Sequence, residues 1–241
     1  MKKEVSQIKI GSILSYLQIV LNIIIGFAYT PIMIRLLGQS EYGLYNTVSS
    51  TISMLSILNL GFGSGYIRYY AKYKKENDNE SIYKLNGLFL IIFSIIGAVA
   101  LACGLFLTFN LQLVFDTGLT AAEYETAKIL MLMLAINMAI SFPASVFANM
   151  VSAHEKFIFL KLFGMVRTVI GPFVTLPLLF LGYGSIAMVA VAVSASIIAD
   201  IIYIFYVIFH LKQRFIFKNF EKGLFKGLFA YTVFIAEENI I

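Results

Sequence analysis

The chain has 241 residues, of which 60% are apolar and only 13% charged, and its mean hydropathy is +0.87. That composition excludes an ordinary soluble domain. The net charge of +5 would suit nucleic acid in a soluble chain, but here the positive residues collect on one side of a series of apolar runs, so anionic membrane lipids are the expected partner and nucleic acid is not.

The apolar runs cover residues 10–37, 42–67, 85–109, 127–151, 157–181 and 183–209. Each is about 25 residues long, where about 20 suffice to cross the hydrocarbon core. The expected fold is all-α and integral to the membrane: six transmembrane helices and part of a seventh, which opens near Gly223. The chain stops inside that seventh run at Ile241, which reads as truncation. Runs this long and continuous do not suit a barrel of short alternating strands. The first run is too long for a signal-peptide core and lacks a small-residue cleavage site, so it is read as a retained helix.

Fifteen of the 18 Lys and Arg fall in alternate gaps. Lys2, Lys3 and Lys9 precede run one. Arg68, Lys72, Lys74, Lys75 and Lys84 follow run two, Lys156 and Lys161 follow run four, and Lys212, Arg214, Lys218, Lys222 and Lys226 follow run six. Cytoplasmic loops carry such an excess, which places the N-terminus in the cytoplasm. Gly38-Gln39-Ser40-Glu41 reads as a tight hairpin turn with Gly38 as helix terminator and Ser40 as N-cap; Gly182 marks a second. Residues 68–84 read as the longest inner loop, and Asp116, Glu123 and Glu125 lie in an outer one. Tyr66, Tyr69, Tyr70, Tyr73 and Tyr83 read as an interfacial aromatic belt in a chain without Trp.

Polar residues inside the runs carry the functional reading. Gln18, Asn22, Gly26, Tyr29 and Met33 share one face of helix 1, and Asn46, Ser49, Ser50 and Ser53 cluster on helix 2. Hydrogen bonding between helices is one explanation; lining a water-filled cavity is the other. Pro31, Pro143, Pro172 and Pro177 are expected to kink their helices. Gly61, Gly63 and Gly65 allow a close helix approach and form no phosphate loop. Arg167 and Asp200 each lie about ten residues from the inner ends of runs five and six, about 15 Å deep. Burial of charge at that depth is costly, so the two are expected to face one interior space and pair, either structurally or in handling substrate or protons. Arg35, near the outer end of run one, either snorkels or meets an anion from a cavity wall.

Catalytic patterns are absent. His154 and His210 are the only histidines, the lone Cys103 forms neither disulfide nor metal cluster and reads as a small buried hydrophobe, and no Walker A motif, DxD pair or nucleophile set occurs. No metal, no cofactor and no enzyme are expected; a secondary transporter fits.

Several stretches together carry a resemblance: IGSILSYL (10–17), LLGQSEYGLY (36–45), LNLGFGSGYIRYYAKYKK (58–75), IYKLNGLFL (82–90) and AHEKFIFLK (153–161). The chain resembles the N-terminal half of a Wzx-type polysaccharide flippase of the multidrug/oligosaccharidyl-lipid/polysaccharide exporter superfamily. The resemblance implies an N-terminal transmembrane lobe over 1–209, a cytoplasmic linker over 210–222 and the start of helix 7 over 223–241. It implies a multi-pass protein of a bacterial inner membrane that flips undecaprenyl-pyrophosphate-linked oligosaccharide by alternating access. The partners would be that lipid-linked oligosaccharide and a missing C-terminal lobe or second copy, without which the chain would be inactive. Arg35 and Arg68 become candidates for the pyrophosphate by type and location, beside Asn22, Asn46 and Arg167, with Asp200 as charge partner. The ending with Glu237 and Glu238 departs from the family pattern. Alternatives are a cation-coupled multidrug exporter lobe, a non-transporting membrane partner of a polysaccharide assembly complex, and a membrane glycosyl- or phosphotransferase, whose acidic motif the loop acids Glu76, Asp78, Glu80 and Glu155 do not supply.

Overall fold

The computed structural model describes residues 2–59, 62–115 and 118–218. The expected seventh helix, linker residues 219–222 and Gly61 lie outside them. The described residues form no strand. They form α1 (Lys2–Met54), a 3₁₀ turn (Leu55–Asn59), α2 (Phe62–Lys75), α3 (Asn79–Phe109), α4 (Ala121–Ala153), α5 (Phe157–Phe180) and α6 (Gly184–Phe205), which ends in a π turn (Tyr206–His210).

Five stretches are long and apolar enough to cross a membrane: Lys9–Lys75, Asn79–Phe109, Ala121–Ala153, Phe157–Phe180 and Gly184–His210. The expected six separate spans are not found, because the first two runs form one helical stretch. Within α1 the backbone leaves helical dihedrals at Gly38, with φ 79° and ψ 163°. A glycine is needed there, since a side chain is strained at that φ. Pro31 leaves its surroundings helical.

Contacts on the two sides of Gly38 run in opposite directions. Before it, Gly11 lies on Phe157 and Gln18 on Gly164, and Met33 clusters with Leu179. Beyond it, Glu41 accepts a hydrogen bond from the Ser185 backbone (2.6 Å), Gly63 lies on Asn149, and Tyr70 bonds His154 (2.9 Å). Residues 11 and 70 thus meet the same α4–α5 junction, while Gly38 sits at the far end beside the α5–α6 junction. Ser40 does not cap a helix; its hydroxyl donates to Glu123.

The expected inner loop over 68–84 is mostly helix. Only residues 76–78 separate α2 from α3. Asn77 takes a left-handed φ of 56°, and Asp78 caps α3 by accepting from the Ser81 backbone (2.9 Å) and hydroxyl (2.6 Å). These bonds hold the Asp78 carboxyl below its ordinary range. Nor do the tyrosines all form a belt. Tyr66, Tyr70 and Tyr73 are buried in a cluster with Phe62, Phe89 and Phe93.

A second cluster packs Leu44, Val48 and Ile52 against Leu130, Met131 and Ala135 of α4. α3 and α4 approach closely. Pro143 cannot donate to the Ala139 carbonyl one turn back, and that carbonyl faces Gly97, where an added Cβ would stand 2.6 Å from it. Gly97→Leu should therefore destabilise the lobe by about 1–3 kcal/mol through overpacking, seen as a lower thermal midpoint in detergent. Gly26→Ala, where nothing lies within 4 Å, should not lower the midpoint, since alanine suits a helix interior better than glycine.

Candidate functional site at Arg167

α5 buries only Thr175 and Leu179 along its length. It carries Pro172 and Pro177, each removing a backbone hydrogen bond. A lightly packed helix of this kind leaves room beside it. Arg167, Gly171, Pro172 and Thr175 of α5 line a pocket of about 210 Å³ with Tyr29 and Tyr45 of α1 and Met188, Val191, Ala192 and Ala195 of α6. Arg167 is exposed, ten residues beyond the first residue of α5, or about 15 Å along the helix.

Asp200 is the nearby carboxylate. It accepts from the Ser141 hydroxyl of α4 (3.1 Å), and Ser141 lies 3.3 Å from Ser196. Asn137, one turn before Ser141, holds a buried amide oxygen with no donor among the described residues. Arg167 is an electrostatic neighbour of Asp200 and Tyr203. The direct Arg167–Asp200 ion pair expected from depth alone is absent among the described residues; Ser141 takes the carboxylate, and the guanidinium stays open to the pocket.

The other candidates separate by level. α1 and α5 run parallel in constant register, since Gly11 meets Phe157 and Gln18 meets Gly164. The same register sets Asn22 level with Thr168, beside Arg167. Asn22 is exposed although it shares the helical stripe of Gly11 and Gln18. Arg35 and Asn46 are exposed near the Gly38 end, and Arg68 is exposed at the opposite, lysine-rich end. The side chains of Asn22, Asn46 and Arg35 make no hydrogen bond or ion pair among the described residues. The structure thus brings Arg167, Asp200 and Asn22 to one depth and leaves Arg35, Asn46 and Arg68 apart from them. Tyr45, Thr175, Ser141 and Ser196 went unnamed as site residues in the sequence, where isolated hydroxyls carry no distinguishing pattern.

A model of the polysaccharide biosynthesis protein family matches residues 9–240. The chain belongs to the polysaccharide biosynthesis protein family. No curated protein and no solved structure matches it. For this family member the match covers every element just described from Lys9 onward, including all six candidate residues.

A buried polar network closes the lysine-rich end. Tyr66 donates to the Asn86 amide oxygen (2.7 Å), and Asn86 donates to Gln213 (3.2 Å) and the Arg214 carbonyl (3.0 Å). His154 Nδ1 lies 2.7 Å from the Met150 carbonyl, so Nδ1 carries the proton and Nε2 accepts from Tyr70 (2.9 Å) and Gln213 (3.2 Å). The segment after the π turn is thereby strapped across α2, α3 and α4, with the Ile216 amide donating to the Tyr83 carbonyl (2.9 Å). The signal available in the sequence was Asn86, an amide at the head of an apolar run.

Burial, aided by Lys74 and Lys156 and opposed by the Met150 bond, pulls His154 below its ordinary 6.5. A folded pKa below the unfolded one gives stability that is complete above 6.5 and lost as pH falls through 6.5 toward the folded value. The thermal midpoint should drop between about pH 7.5 and pH 5.5, and His154→Gln should flatten that dependence. Tyr66→Phe should cost about 1–3 kcal/mol by leaving the Asn86 oxygen buried without a donor, measured by thermal unfolding in detergent.

Proposed function

We propose that this lobe takes part in moving a lipid-linked oligosaccharide, carried on undecaprenyl pyrophosphate, across a bacterial inner membrane by alternating access. The single observation that carries the reading is the set of exposed polar side chains at membrane depth. Arg167 and Asn22 lie near mid-helix, with Asn46 and Arg35 nearer the Gly38 end, all exposed at the lobe surface. Hydrocarbon leaves such groups unsatisfied at a cost of several kcal/mol each. They belong on a water-filled or substrate-filled wall. Family membership supplies the pathway, polysaccharide biosynthesis. A guanidinium suits a phosphate by its planar, forked donors.

On this reading α1 crosses twice, up to Gly38 and back, so the described residues make six crossings. The lysine-rich end, with Lys72, Lys74, Lys75, Lys84, Lys156 and Lys161, is cytoplasmic by the positive-inside rule, and anionic lipid headgroups are its partners. Transport in this scheme requires no enzyme activity and no cofactor. Arg35 and Arg68, at opposite ends of the lobe, are entry or exit contacts for the pyrophosphate, and Arg167 is the mid-path contact. Asp200 tempers the charge of Arg167, which keeps an anion from being held too tightly to leave.

The functional test is translocation of a fluorescent polyprenyl-diphosphate oligosaccharide in vesicles containing the protein at a density that lets two copies pair as the two lobes. Translocation should exceed that of protein-free vesicles, and Arg167→Gln should slow it at least about ten-fold, as expected for one lost charge-assisted bond. A rate no higher than in empty vesicles sinks the proposal. Orientation is tested separately: in a Cys103→Ala background, Asn77→Cys should be labelled by an impermeant thiol reagent only from the cytoplasmic side.

A further inference from the structure

The segment that follows the π turn is held by hydrogen bonds that run in one direction. Asn86 is wholly buried. Its oxygen accepts from Tyr66, so its nitrogen is the donor to Gln213 Oε1 (3.2 Å) and to the Arg214 carbonyl (3.0 Å). That leaves the Gln213 nitrogen as the donor toward His154 Nε2 (3.2 Å) and the Leu211 carbonyl (3.3 Å). The series ends on His154, whose Nδ1 proton is committed to the Met150 carbonyl (2.7 Å). Main chain adds to the hold. The Ile216 amide donates to the Tyr83 carbonyl (2.9 Å), and the Ile216 carbonyl sits over Gly87, where a Cβ has no room. Phe215 packs on Phe147, with ring centroids 5.7 Å apart. Residues 212–217 form no helix or strand of their own, so these attachments to α3 and α4 are what place them.

A proton on Nε2 breaks this series. An imidazolium donates from both nitrogens. Tyr70, 2.9 Å away, can turn its hydroxyl and accept. Gln213 has no such freedom. Left as it is, its N–H points at another N–H. Turned over, its nitrogen faces the Asn86 nitrogen, and the Leu211 carbonyl loses its donor. Either way a part-buried donor is left without an acceptor, which is the costly state for a polar group out of water. The surrounding charges add to the conflict. Lys74 of α2, with Nζ 5.8 Å from the Tyr70 ring, and Lys156 at the α4–α5 turn both oppose a positive imidazole. Glu155 in that turn is an electrostatic neighbour of Tyr70. The segment itself carries Lys212 and Arg214, both exposed, and the π turn carries His210, packed on Tyr206. On α3, Lys84 pairs with Glu80 (2.7 Å). Among the described residues no carboxylate pairs with His154.

We infer that residues 211–217 form a pH-sensitive strap, shut across α3 and α4 while His154 is neutral and released when its Nε2 takes up a proton. Burial, opposed by the Met150 bond and aided by the two lysines, holds His154 below its ordinary 6.5. The strap is therefore shut above 6.5 and opens as pH falls below it. Opening is local. It frees the path of the chain leaving α6 and uncovers Asn86 and Gly87, while the aromatic cluster of Tyr66, Phe89 and Phe93 beneath stays packed. On the orientation proposed above the strap reads cytoplasmic pH.

The test places a nitroxide on Lys218→Cys, an exposed position just past the strap, in the full Cys103→Ala chain in detergent micelles, and reads its mobility by electron paramagnetic resonance. The ratio of mobile to immobile label should rise about five-fold or more between about pH 7.5 and pH 5.0. A label on Glu76→Cys, exposed at the same end but outside the strap, should not change. His154→Gln should keep the Lys218→Cys label immobile at both pH values, and His210→Gln should leave the transition as it is. Gln213→Ala and Gly87→Ala should each free the label at neutral pH, the first by removing an anchor and the second by displacing the Ile216 carbonyl. A ratio independent of pH, a transition that survives His154→Gln or vanishes in His210→Gln, parallel loosening at Glu76→Cys, or a label that stays immobile in both Gln213→Ala and Gly87→Ala would each overturn the assignment. Both faces of the lobe meet one pH in a micelle, so the outcome is independent of orientation and of the transport assay.

Discussion

Hydrocarbon neither donates nor accepts a hydrogen bond, and the rest of this lobe follows from that constraint. Apart from the bend at Gly38, the described backbone within the long apolar stretches is helical, so most of its amides are satisfied within each segment. Most hydroxyls follow suit by bonding the carbonyl one turn back, as Thr47, Thr51, Ser94, Thr108, Thr168 and Thr175 do. Against that background the side chains that do not fold back on themselves stand out: Asn22, Asn46, Arg35 and Arg167. Each is affordable only beside water, ligand or another polar surface.

The two ends of the lobe are fixed in different ways, and the middle is left loose. At the lysine-rich end, aromatic packing and the Tyr66–Asn86–Gln213–His154 network bind the segment after α6 to α2, α3 and α4. At the Gly38 end, Glu41 holds the start of α6 and Ser40 meets Glu123 near the start of α4. Between them α5 buries little and the Arg167 pocket opens along it.

The periodicity of charge and hydropathy made the solvent and most helix positions legible, because length and charge are counted along the chain. α5 and α6 fall within a few residues of the expected runs. What was not legible depended on partners distant in sequence. Residues 68–84 read as a hydrophilic loop, yet Tyr66, Tyr70 and Tyr73 bury one side of α2 and leave its lysines outside. The separation of the first two runs failed because a single glycine, rather than a polar loop, makes the bend. Depth suggested that Arg167 and Asp200 are neighbours, and their electrostatic coupling in the structure agrees, but only the structure shows that Ser141 takes the carboxylate. The pocket rim of Tyr29, Tyr45 and Thr175 comes from three helical segments and leaves no linear trace.

The claim beneath all of this is that the exposed polar residues face an aqueous or substrate-filled wall and not lipid. The direct measurement is thiol accessibility in membranes, in a Cys103→Ala background, comparing Asn22→Cys and Asn46→Cys with Ile24→Cys and Phe27→Cys on the exposed apolar face of α1. A hydrophilic, membrane-impermeant reagent should modify positions 22 and 46 readily and leave 24 and 27 almost untouched. Equal, negligible labelling at all four positions would contradict the account.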